Sequence, residues 1–248
     1  MIVFVGAGPG APDLITLRGQ KALAGADVVV YAGSLVNPVL LDYCREGCAT
    51  HNSAGMTLEE VLAVMVEAAR AGKKVVRLHT GDPSLYGAIR EQMDALDRHG
   101  IGYAIVPGVS SFLAAPASLR AEFTLPGVSQ TLILTRMEGR TPVPEKEDIA
   151  VLASHQASMS IFLSASMLEK LGTKLLEGGY RPDTPAAVVY RATWADEQVV
   201  RTSVAGLGAV QGIGKTALVL VGDFLGDNYE RSRLYDPAFS HEFRKGME

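Results

Sequence analysis

Three short segments hold residue types suited to binding a small molecule: Gly6-Ala7-Gly8-Pro9-Gly10, Thr80-Gly81-Asp82-Pro83-Ser84-Leu85-Tyr86 and Pro107-Gly108-Val109-Ser110-Ser111. Glycine and serine allow a ligand to come close to the main chain and its hydrogen-bonding groups. Asp82 has two readings that can coexist, as a ligand contact and as the cap of a helix starting at Ser84. His79, just ahead of the second segment, is either a proton carrier or a hydrogen-bonded histidine at a strand end. A tight strand-to-helix turn alone would account for the first glycine cluster. It accounts less well for two further loops of similar character.

The elements that must position these loops are readable. Each loop follows an apolar run with strand character, at residues 2–5, 75–78 and 101–106, and each leads into helical spacing. Loops leaving the carboxyl ends of parallel strands converge on one crevice, so the three are expected to line one pocket. Residues 27–31 supply a further β-branched strand. Residues 57–71 form the clearest helix: Thr57 and Glu60 make a capping box, Leu58, Val61, Leu62 and Met65 keep one apolar face, and Gly72 stops it. A second helix is expected over 84–99, closed by Gly100. Residues 1–118 therefore read as a doubly wound α/β domain with a parallel sheet. Beyond Pro116 and Pro126 the pattern changes, with strands at 131–135, 160–163, 186–190, 198–202 and 217–221 and a hairpin through 188–202. Residues 119–248 are expected to be a second α/β domain with a mixed sheet. Residues 140–145 form a proline-stiffened loop within it, and Tyr235 and Phe239 suggest that the polar tail 228–248 docks.

With 248 residues, 48% hydrophobic and 20% charged, the chain has ample material for a core. No apolar stretch approaches the roughly 18 to 20 residues a membrane span requires. Met1 leads directly into a strand without a basic n-region, so a secretory signal is not expected and a cytoplasmic location is. A net charge of −4 argues against a nucleic-acid partner held by bulk electrostatics. Cys44, Cys48 and His51 fall at helical spacing and invite a metal reading. Gly47 interrupts that helix and no fourth ligand is near, so two reduced, part-buried thiols are expected instead.

A dinucleotide fold is the obvious reading of Gly6–Gly10, and it fails. Pro9 and Pro12 occupy the loop, the helix is expected only near Asp13, and the second strand ends Val30-Tyr31-Ala32-Gly33-Ser34 without an acidic residue for a ribose.

Taken together, the three loops resemble the tetrapyrrole methyltransferases, which methylate uroporphyrinogen and precorrins with S-adenosylmethionine. The resemblance covers nearly the whole chain. It continues through Val128-Ser129-Gln130-Thr131-Leu132-Ile133-Leu134-Thr135-Arg136, Glu138-Gly139-Arg140-Thr141-Pro142-Val143-Pro144-Glu145, Ile161-Phe162-Leu163-Ser164, Val189-Tyr190-Arg191-Ala192-Thr193-Trp194 and Ser232-Arg233-Leu234-Tyr235-Asp236. The 138–145 stretch looks like the branch acting at C-11 of precorrin-4, closer to its cobalt-using members. The resemblance implies a kidney-shaped, usually dimeric two-domain fold with the methyl donor between the domains and S-adenosylhomocysteine as product. It implies that Pro9 lies against the donor and that Gly81, Asp82 and Pro83 contact it. Ser110 and Ser111 match a small pair, and Ser164, Ala165 and Ala192 match positions framing its adenosine and methionine parts. Tyr86 is added on position, one turn into the helix expected after the second loop.

That chemistry suits these residue types. The donor carries no phosphate, and its positive charge leaves sulfur in the transition state, so small neutral groups and no contacting carboxylate are expected there. C-11 supplies its own electron pair, leaving positioning as the protein's main task, with no general base named. A polycarboxylate tetrapyrrole bound by an acidic protein calls for a local guanidinium cluster. Arg77, Arg136, Arg140 and Arg191 are the candidates, against a plain reading as solvated surface arginines. The rivals are methylation at another corrin position or of uroporphyrinogen III, diphthine or ribosomal RNA, a nicotinamide-dependent oxidoreductase, and a non-catalytic carrier.

Overall fold

A computed structural model describes residues 1–214 and 216–246. The chain forms two compact units. Unit 1 comprises Met1–Ala114 together with Arg191–Asp196, and unit 2 comprises Ala115–Tyr190 and the chain from Glu197 on.

In unit 1, strands β1 (Ile2–Gly6), β2 (Val28–Tyr31), β3 (Ala49–Asn52), β4 (Val75–His79) and β5 (Tyr103–Val106) form a parallel sheet in the order β3-β2-β4-β1-β5. Alternation along each strand divides the core between two faces. Ile2, Phe4, Val28, Val30 and Val75 pack with Val61 and Met65 of helix α2 (Leu58–Arg70) and with Ile89 and Leu96 of helix α3 (Ile89–Arg98). Val5, Val29, Val76 and Leu78 pack with Leu23 of helix α1 (Leu17–Ala24) and with Leu40. The sheet is doubly wound, as expected. Helix α2 has the expected capping box: Glu60 N donates to Thr57 Oγ1, and Thr57 N donates to Glu60 Oε2.

Two helices begin later than expected. Residues 12–14 form a single 3-10 turn, and α1 starts at Leu17 behind Thr16, whose hydroxyl accepts from Gly19 N. After the second loop the chain turns through residues 83–86, and Tyr86 and Ala88 take φ of +54° and +48° before α3 starts at Ile89. Left-handed residues cannot propagate a right-handed helix. Tyr86 therefore sits in an irregular turn rather than on a helix, 47% exposed. The helical spacing of Cys44, Cys48 and His51 is also coincidental: Cys44 ends a 3-10 segment, Gly47 lies in a turn, and His51 is on the edge strand β3. Burial, then the adjacent Cys48, pushes the Cys44 thiol up to about 12.

Helix α4 (Ser111–Leu119) contains the division between the units. In unit 2, strands β6 (Leu132–Arg136), β7 (Ser158–Phe162), β8 (Pro185–Tyr190), β9 (Gln198–Ser203) and β10 (Ala217–Val221) lie in the order β6-β7-β10-β8-β9. β6 and β7 are parallel and every other pairing is antiparallel, which makes the expected mixed sheet. One face buries Met159, Ile161, Val188 and Val219 against Ile149 of helix α5 (Ile149–Ala153) and Leu171 and Leu175 of helix α6 (Leu168–Glu177). Asp148 caps α5 through Ala150 N and pairs with Lys174 of α6 at 2.6 Å.

The tail folds around main-chain contacts instead of its aromatics. Glu230 N donates to Pro126 O, Arg244 donates to the carbonyls of Leu234 and Asp236, and Tyr235 stays 69% exposed. Met247 and Glu248 of the expected tail lie outside the described residues. Among the described residues, no helix is long and apolar enough to cross a membrane.

Candidate functional site

β4, β1 and β5 are neighbours in the sheet, so the three loops leave it side by side at their carboxyl ends. Main-chain groups join them. Gly81 N donates to Gly8 O at 2.8 Å, and Gly8 N donates back to Gly81 O at 3.2 Å. This exchange needs φ of +80° at Gly8 and +58° at Gly81, which glycine adopts without steric cost. Gly6 and Gly108 pack almost Cα to Cα: a Cβ on Gly6 would lie 2.5 Å from Gly108 Cα and 2.6 Å from Gly81 O.

Asp82 links the second loop to the third. Its carboxylate accepts from Ser84 Oγ, from Ser84 N at 2.8 Å and from Gly108 N at 2.8 Å. Desolvation pushes this carboxyl up, but the bonds from Ser84 and Gly108 outweigh it and hold its pKa below the ordinary carboxylate value. Asp82 caps a turn, not α3. Ser110 is buried beside Gly81. The structure thus gathers Pro9, Gly81, Asp82, Pro83, Ser110 and Ser111 at one end of the sheet.

The same end of unit 1 includes a segment from far along the chain. Residues 191–196 lie between β8 and β9 in sequence but belong to unit 1, and they bring Ala192 there. Trp194 Nε1 donates to Pro9 O at 2.9 Å, and Ala11 N donates to Thr193 Oγ1 at 2.9 Å. From the first half of the chain, Asn37 Nδ2 donates to Gly10 O at 2.9 Å. The Arg191 guanidinium lies over the indole, 3.9 Å from the ring centre, and pairs with Asp196 at 2.5 Å. Arg191 and Thr193 have φ of +48° and +70°. Such conformations cost about 1–3 kcal/mol each and persist where the surroundings over-determine them. Sequence reasoning gave Trp194, Thr193 and Asn37 no role in the site. The available signal was a hairpin connection longer than tight hairpins use, carrying the chain's one tryptophan.

The expected arginines separate. Arg77 corrects its expectation: it is 6% exposed, with Nε on Gln92 Oε1 and Nη1 on Val30 O, so it ties β2 to α3 inside the unit and cannot reach a substrate carboxylate. Burial lowers its pKa to about 10. Its neighbour His79 is also buried; desolvation, then the Arg77 charge, lowers its pKa to about 3, so it is neutral and no proton carrier at ordinary pH. Arg136 donates to the carbonyls of Met137, Thr141 and Pro142 and so holds the proline loop. Arg140, on that loop, is exposed. Ser164 is fully buried in unit 2, its hydroxyl donating to Phe162 O and accepting from Met137 N. Ala165 follows it, 8% exposed.

Doubly wound sheets take ligands at the carboxyl ends of their strands, and the three loops present main chain and small side chains there. Residues 1–208 match the Tetrapyrrole (Corrin/Porphyrin) Methylases, and the chain belongs to that family. It is 56% identical to the cobalt-precorrin-4 C(11)-methyltransferase of Methanocaldococcus jannaschii, over 98% of this chain and 96% of that one. A solved cobalt precorrin-4 methyltransferase superposes with a TM-score of 0.89 at 48% identity, covering 91% of this chain and 96% of the other. A Thermus thermophilus uroporphyrin-III C-methyl transferase, solved with S-adenosylhomocysteine, superposes with a TM-score of 0.77 at 28% identity, covering 90% and 98%. As a family member the chain is a methyltransferase that uses S-adenosylmethionine.

Proposed function

We propose that this chain transfers a methyl group from S-adenosylmethionine to C-11 of precorrin-4, in its cobalt form, during corrin ring synthesis. The supporting observation is the main-chain joint of Gly6, Gly8, Gly81 and Gly108, with Asp82 already engaged by three donors. Asp82 is the one carboxylate in the three loops. The Asp82 carboxylate keeps its charge, but its oxygens are taken up by Ser84 and Gly108, which fits a site where no carboxylate should hold back a sulfonium whose charge falls as the methyl leaves.

In this reading Pro9, Gly81, Asp82, Pro83, Ser110, Ser111, Ala192 and the turn at Tyr86 hold the donor, and a donor role for Ser164 and Ala165 rests on the family resemblance alone. Ser164 contributes by its backbone, since its hydroxyl is engaged. When bound, S-adenosylmethionine supplies an electrophilic methyl group to the electron pair of C-11. The chain's own work is orientation. Loops fixed by main-chain bonds pay little reorganisation, and well-oriented reactants can gain about 7–11 kcal/mol. Arg140 and Arg191 contact carboxylates of the tetrapyrrole, and Arg136 acts by shaping the loop that carries Arg140. A homodimer, supported by the family resemblance, and a cytoplasmic location complete the reading.

The test is incubation with cobalt-precorrin-4, and separately with the metal-free form, in the presence of isotope-labelled donor. Location of the new methyl by NMR should place it at C-11. Labelling at another carbon, or no uptake from either form, would remove the C-11 assignment.

A further inference from the structure

We infer that Trp194 is a positioning residue for donor binding, acting through the carbonyl of Pro9. The inference rests on the reading of the glycine loops as the donor site. Of the main-chain polar groups of residues 9–11, three are held by side chains. Pro9 O accepts from Trp194 Nε1, Gly10 O accepts from Asn37 Nδ2, and Ala11 N donates to Thr193 Oγ1.

The indole also occupies the space a side chain at residue 10 would need. A Cβ on Gly10 would fall on Trp194 Cδ1 and Nε1. Gly10 is thus matched to the tryptophan rather than to a turn requirement, since its φ is not among the positive ones. Arg191 covers the indole and is paired with Asp196, which fixes the ring in place. The left-handed Arg191 and Thr193 show that the chain keeps this arrangement against local preference. Gly6 and Gly8 are fixed by Gly81 and Gly108, but without the three side-chain bonds residues 9–11 would sample other conformations and lose that freedom on binding. Holding them beforehand removes the loss and tightens the donor complex.

The experiment uses the whole chain with S-adenosylhomocysteine as probe. Binding is followed by calorimetry and by the emission of the single tryptophan. The wild-type emission should change with the same midpoint as the calorimetric titration. Trp194→Phe keeps a ring but removes the N–H, and Thr193→Val keeps the shape but removes the acceptor. Each should weaken probe binding roughly tenfold. The donor KM should rise by a similar factor while kcat falls less than twofold, a split that general loss of structure would not produce. Wild-type affinity in both variants, with emission indifferent to the probe, overturns the inference and leaves the donor reading standing. Absence of calorimetric binding to the wild-type chain overturns the donor reading itself.

Discussion

The glycine loops of unit 1 and the proline loop of unit 2 are both irregular chain at the ends of strands, yet opposite means hold them. The first are joined main chain to main chain, through Gly8 with Gly81 and through the contact of Gly6 with Gly108. The second, after β6, is gathered by one guanidinium: Arg136 donates to three carbonyls between Met137 and Pro142. Main-chain joints cannot rearrange without unpairing buried groups, so they suit a ligand of fixed shape. A loop held by one flexible side chain can shift to meet a large substrate with several carboxylates. Gly139 shows the same contrast, since a Cβ there would meet only Met167 Cε at 3.6 Å.

A methyl group added at each place separates the two loops most. Gly108→Ala puts a Cβ onto Gly81 O and within 2.7 Å of Gly6 Cα, all backbone. It should cost about 3 kcal/mol or more in urea unfolding, the upper part of the overpacking range, and abolish donor binding. Gly139→Ala should change stability by less than about 0.5 kcal/mol. Equal effects would erase the distinction.

Arg77→Leu comes next. It leaves Val30 O and Gln92 Oε1 without their buried donor and should cost about 2 kcal/mol in the same assay. The substrate KM of the remaining folded enzyme should be unchanged, since this guanidinium serves the interior.

His79 sharpens the picture of that interior through pH. Unfolded, it takes up a proton near the ordinary histidine value; folded, it resists until about pH 3. Between those values the unfolded state binds more protons, so stability falls as pH falls, by at most about 1.4 kcal/mol per pH unit from this group. Urea midpoints measured from pH 7 down to pH 5 should decline more steeply for the wild type than for His79→Phe. Parallel slopes would mean that folding leaves the proton affinity of His79 unchanged.

The smallest effect is expected in unit 2. Arg140→Ala should raise the tetrapyrrole KM by roughly 3- to 10-fold, about 1 kcal/mol, the scale of an exposed charge pair. Arg136→Ala should raise it in the same direction by releasing the loop that carries Arg140. Donor KM should stay constant and melting temperature should move by only a few degrees. Unchanged substrate kinetics would take both arginines out of the substrate site.

Much of this was written locally in the chain. The capping box at Thr57 and Glu60 and the apolar spacing of α2 need only neighbours within a few residues, and both formed as read. The β-branched runs of β1, β4 and β10 locate themselves for the same reason, as do the glycine loops that follow β1 and β4. The polar edge strand Ala49–Asn52 lacks that signature, because its residues are largely exposed and gain little from burial. The left-handed turn at Tyr86 and Ala88 likewise hides behind residues that would otherwise suit a helix.

Residue types and spacing alone established the α/β class, the two sheets, and the three loops worth attention. Tertiary structure decided which arginine is buried, which carboxylate is engaged, and that Trp194 meets Pro9 across 185 positions of sequence. Periodicity reports the interactions of a residue with its near neighbours. The partners of Arg77, Asp82 and Trp194 are chosen by how strands order themselves in a sheet, and that order is written in no single segment.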